Sequence, residues 1–79
     1  MKNLQLDALK SKVLRDLELV VKFKEESWHN YKKSEDPDVK ETNSDMFHYY
    51  QGKKQGLLDV LDYIMSLYIE MQESEQHNG

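Results

Sequence analysis

The chain has no cysteine among its 79 residues, so no disulfide can brace a fold this small. Small folds then draw support from a metal or from oligomerisation. One proline and three glycines are too few turn residues for a sheet of short strands, and they leave long helices as the available regular structure. Long apolar runs are missing as well. The segment MKNLQLDALK offers no core for a signal peptide, and the longest largely apolar stretch, residues 63–69, is interrupted by Ser66. A membrane-crossing helix needs ~20 such residues, so the expectation is a cytoplasmic protein. An excess of positive charge is also lacking: 15 acidic residues face 11 basic ones, and no bulk attraction to nucleic acid or anionic lipid follows. There is no glycine-rich phosphate loop, no thiol nucleophile and no Ser, His and Asp set in a recognisable context. Neither catalysis nor a cofactor is expected.

What is present is helical periodicity. In the second half, Met46, Tyr50, Leu57, Leu61, Ile64, Tyr68 and Met71 recur at gaps of three, four or seven, the spacing that stacks side chains on one face of a helix. Phe47, Leu58, Val60, Met65, Leu67 and Ile69 widen that face to an arc of roughly 200°. In the first half, Leu6, Leu9, Val13, Leu14, Leu17, Val20, Val21, Trp28 and Tyr31 fill a stripe of roughly 140°. Leu4, Leu19 and Phe23 fall outside it.

The pattern predicts an all-α antiparallel two-helix hairpin in a single domain over residues 1–79: a helix over 3–33 capped by Asn3, a connection over 34–43, a helix over 44–72 and a frayed tail over 73–79. The second helix has two candidate starts. Asp36-Pro37 is one. The other is Thr42 to Asp45, which have capping-box spacing with Asp in place of Glu. A start near Ser44 is favoured because its register sets Trp28 against Tyr49, Val13 against Ile64 and Leu6 against Met71. One hairpin cannot cover a 200° arc, so two are expected to pack as a homodimeric or higher four-helix bundle. Such a dimer is similar to the plasmid RNA-binding protein ROP in architecture alone.

Lys24 and Lys53 both fall near the centre of their apolar faces, and the favoured register sets them opposite one another. With Phe23, Trp28, Tyr31, Phe47 and Tyr50 they form the expected partner surface, suited to an acidic or amphipathic protein element. The alternative is that the lysine stems cover apolar surface while their charges reach water. Nucleic-acid binding is a second reading, with Lys32, Lys33, Lys53 and Lys54 as a local patch. A metal-binding bundle is a third, because Glu26-x-x-His29 and Asp45-x-x-His48 have the carboxylate–histidine spacing of di-iron bundles. Their wheel positions place Glu26, His29 and His48 on solvent, so no metal is expected. Gly52 and Gly56, in the middle of the second helix, suggest close approach of another element or a local bend. The DPDV segment before a helix is similar to the small hairpin aspartyl-phosphatases of sporulation control. That family carries a Ser-x-x-x-Asp step at the start of its second helix. Asn43 and Phe47 stand at the nearest positions here, and the activity is not implied.

Overall fold

The computed structural model describes residues 3–78, with side chains through residue 74. It contains two α-helices packed against each other, α1 over Leu4–Lys33 and α2 over Pro37–Asn78. α1 starts where expected. The Asn3 side chain accepts the Leu6 amide at 3.0 Å, and Asp7 sits in the positively polarised first turn. The helix ends at Ser34, whose amide donates to the Asn30 carbonyl at 3.1 Å, after Lys32 and Lys33 in the last turn.

The connection is shorter than the expected 34–43. α2 begins at Pro37, seven residues before Ser44. The reason is local. Asp36 acts as N-cap, its carboxylate accepting the Asp38 amide at 3.0 Å and its carbonyl accepting the Lys40 amide at 3.0 Å. Pro37 then occupies the first helical position, where a missing N–H costs nothing. The rival cap is spent inside the helix. Thr42 donates its hydroxyl to the Asp38 carbonyl at 3.0 Å, and Asn43 its amide to the Val39 carbonyl at 2.9 Å. At the other end α2 continues to Asn78, so backbone expected to fray from residue 73 is helical. Glu and Gln are good helix formers, and no proline or glycine interrupts before Gly79; Gly79 and the side chains of residues 75–79 lie outside the described residues.

Burial follows a seven-residue repeat. On α1 the buried residues are Leu6, Val13, Val20 and Ser27, each seven after the last. Lys10, Leu17, Lys24 and Tyr31 fall between them and are half-buried. α2 matches with Asn43, Tyr50, Leu57, Ile64 and Met71, interleaved with Lys40, Phe47, Lys54, Leu61 and Tyr68. Alternating steps of three and four are the signature of a coiled-coil seam. The seam has two halves. Away from the turn it is apolar except for Lys10: Leu6, Val13 and Ile64, the last only 1% exposed, pack with Leu57, Leu61, Leu67, Tyr68 and Met71. Toward the turn it carries Lys24, Ser27, Asn43 and Lys54 instead.

Leu6 and Met71, and Val13 and Ile64, thus share the core as expected. Nearer the turn the early start of α2 changes the pairing. Trp28 lies against Phe47, centroids 5.4 Å apart, while Tyr49 is 62% exposed. The hairpin is 64 Å long and 16 by 13 Å across. Its length is that of α2, ~63 Å at 1.5 Å per residue.

Candidate functional site

A two-stranded seam has two flanks, and the aromatic residues near the turn divide between them. On the first flank Phe23 packs against Tyr50 at 5.7 Å, and Tyr50 meets Tyr49 edge-on at 5.3 Å. These rings, with Asp16, Leu19, Val20 and Lys53, line a groove of about 340 Å³. The Lys53 ammonium stands 5.9 Å from the centre of the Tyr49 ring.

On the second flank Trp28 bridges both helices. It stacks on Tyr31 at 5.5 Å and leans on Phe47 at 5.4 Å. Three ammonium groups cap this cluster: Lys24 at 5.6 Å from the Phe47 ring, Lys32 at 5.1 Å from Trp28, and Lys40 at 4.8 Å from Tyr31. Contacts of this kind contribute ~0.5–1 kcal/mol each where exposed, so they hold the lysines loosely. Trp28, Phe47, Lys24 and Lys32, with Glu25 and His29, line a groove of about 350 Å³.

The seven expected site residues therefore do not form one surface. Phe23, Tyr50 and Lys53 belong to the first groove, Lys24, Trp28 and Phe47 to the second, and Tyr31 stacks behind Trp28. The expected face-to-face placement of Lys24 and Lys53 is not observed. Lys53 is exposed, and the half-buried seam lysine of that turn is its neighbour Lys54. A 3.6-residue wheel drifts against a 3.5-residue seam, and over a helix this long the error reaches one position. Lys40, which lay in the expected connection, joins the second cluster because α2 starts at Pro37. Reading the seven-residue repeat from Leu6 and Ile64 would have located both Lys40 and Lys54.

Glu26, His29, Asp45 and His48 are exposed. Among the described residues no three His, Asp or Glu side chains gather as a cation site. Gly52 and Gly56 face open space, with nothing within 4 Å of where a Cβ would stand; no element of the hairpin itself approaches them. Among the described residues no helix is long and apolar enough to cross a membrane.

The apolar surplus is uneven. Among the described residues thirteen large hydrophobic ones are exposed. Counting round the seam in sevens, eight of them lie on the first flank: Leu9, Leu19 and Phe23 from α1, and Val39, Met46, Tyr49, Val60 and Tyr63 from α2. The second flank and outer faces share the rest. No family model matches this chain, and neither a characterised protein nor a solved structure is found similar to it.

Proposed function

We propose that this protein is a small, non-enzymatic interaction module that works as a self-associated helical bundle and presents its aromatic–lysine cluster near the turn to a protein partner. One observation carries the reading. Among the described residues the hairpin fully buries only the hydrophobic Leu6, Val13, Val20 and Ile64 while thirteen large ones stay exposed, more than scattered surface hydrophobics account for. The partner surface is the second groove, where Lys24, Lys32 and Lys40 surround Trp28, Tyr31 and Phe47. That combination suits an acidic amphipathic helix, with aromatics as anchors and ammonium groups fixing its acidic edge.

Light scattering with circular dichroism over a dilution series tests the self-association. A dimer or larger species that loses helix as it dissociates supports the reading; a folded monomer at every concentration refutes it. For the partner surface, Lys24→Glu with Lys32→Glu is expected to abolish capture of the native partner while leaving the bundle intact. Unchanged capture by the folded double variant would exclude that groove. Nucleic-acid binding, the competing reading, requires affinity that falls steeply with salt.

A further inference from the structure

We infer that the first flank is the surface on which two hairpins pair, antiparallel, about a two-fold axis crossing the middle of α1. This rests on the self-association proposed above and specifies its face and direction. The eight exposed hydrophobics of that flank run from Leu9 to Phe23 on α1 and from Val39 to Tyr63 on α2. From their fractional exposures they offer roughly 700 Å² per copy, close to the ~800 Å² per partner of a standard stable interface. The second flank holds fewer such residues, and its groove is already ringed by Lys24, Glu25, His29 and Lys32.

Direction comes from charge. The groove at the centre of the first flank contains one acidic residue, Asp16, and one basic residue, Lys53. Heights along the hairpin follow from the ring pairs Phe23–Tyr50 and Trp28–Phe47. Counted from them, Lys53 stands about five residues, roughly 7 Å, nearer the turn than Asp16. The middle of α1, between Glu18 and Leu19, lies between the two. An axis there exchanges the two heights. Each Asp16 then stands level with the partner's Lys53, each Phe23 with the partner's Val60, and each Tyr49 with the partner's Tyr63. Leu19 and Gly56 stand level with their own copies, and Gly56, open in the single hairpin, lets the two α2 helices approach. A parallel pair would instead set Asp16 level with Asp16 and Lys53 with Lys53, an arrangement that like charges disfavour.

The test uses the full chain and its lack of cysteine. Leu19→Glu sits beside the axis and acts twice per dimer, so it is expected to raise the dimer Kd at least about a hundredfold. Met65→Glu on the second flank is the control and leaves the Kd unchanged; circular dichroism checks that both variants are folded. Spin labels on Glu35→Cys in the turn are expected roughly 50 Å apart across the dimer, from the rise of half of α1 on each side. Gly56→Ala weakens the dimer, whereas Gly52→Ala does not. A dimer that survives Leu19→Glu, that dissociates with Met65→Glu, or whose turn labels lie within ~25 Å overturns this inference and leaves self-association standing. A wild-type chain that is monomeric throughout overturns both.

Discussion

Tyr68 and Asp7 join the two helices at the end away from the turn, the phenol donating to the carboxylate, with the Lys10 ammonium 5.6 Å from the same ring. That hydrogen bond, with burial and the neighbouring negative charge, pushes the phenol from 10.0 up to about 12. A phenol raised in this way favours the folded chain while it keeps its proton. Its contribution is complete below the ordinary value of 10.0 and is lost as pH rises through about 12. In an alkaline titration followed by tyrosinate absorbance, one tyrosine is expected to ionise late, and Asp7→Asn to bring it down. Gly52 sits in a helix interior with open space around it, so Gly52→Ala is expected to raise stability by about 1 kcal/mol in thermal unfolding.

The start of α2 was legible only in part. Two start signals compete within residues 36–45, and matching of apolar residues across the hairpin favoured the later one. The structure selects the earlier because Asp36 and Pro37 satisfy the first turn by themselves, while Thr42 and Asn43 bond back to carbonyls one turn earlier. Asp36→Ala is therefore expected to cost about 0.5–2 kcal/mol in denaturant unfolding. Asp45→Ala, mid-helix and exposed, is expected to cost almost nothing; the reverse order would restore the start near Ser44. The second helix also shows which part of its wide arc is core. Ile64 is the most deeply buried side chain among the described residues, and Ile64→Val is expected to cost about 0.5–1.5 kcal/mol.

Across the whole hairpin the seam changes character from apolar to polar. Ser27 and Asn43 are buried near the turn, yet each bonds within its own helix, to the Phe23 and Val39 carbonyls at 2.9 Å. They satisfy themselves and tie nothing across the seam. The half built on Leu6, Val13, Leu57, Leu61 and Ile64 therefore holds the helices together, although the covalent link is at the other end. Hydrogen exchange is expected to find its slowest amides around Val13 and Ile64, with the turn-proximal half opening first. Fastest opening near Ile64 would contradict this division. A turn half held mainly by ring contacts and loosely placed lysines has fewer buried apolar contacts to lose on opening.

Sequence alone determined the helical class, the Asn3 cap, the sharing of one core by Leu6, Val13, Ile64 and Met71, and the excess of apolar surface over what one partner helix covers. These follow from periodicity and local hydrogen-bond chemistry, which act over a few residues. Only the tertiary structure decided which start of α2 prevails, that Trp28 meets Phe47, and that Lys24 and Lys53 lie on opposite flanks. Those outcomes depend on the relative rotation and stagger of two long helices. A shift of one residue turns a side chain by 100°, enough to move a lysine from seam to flank.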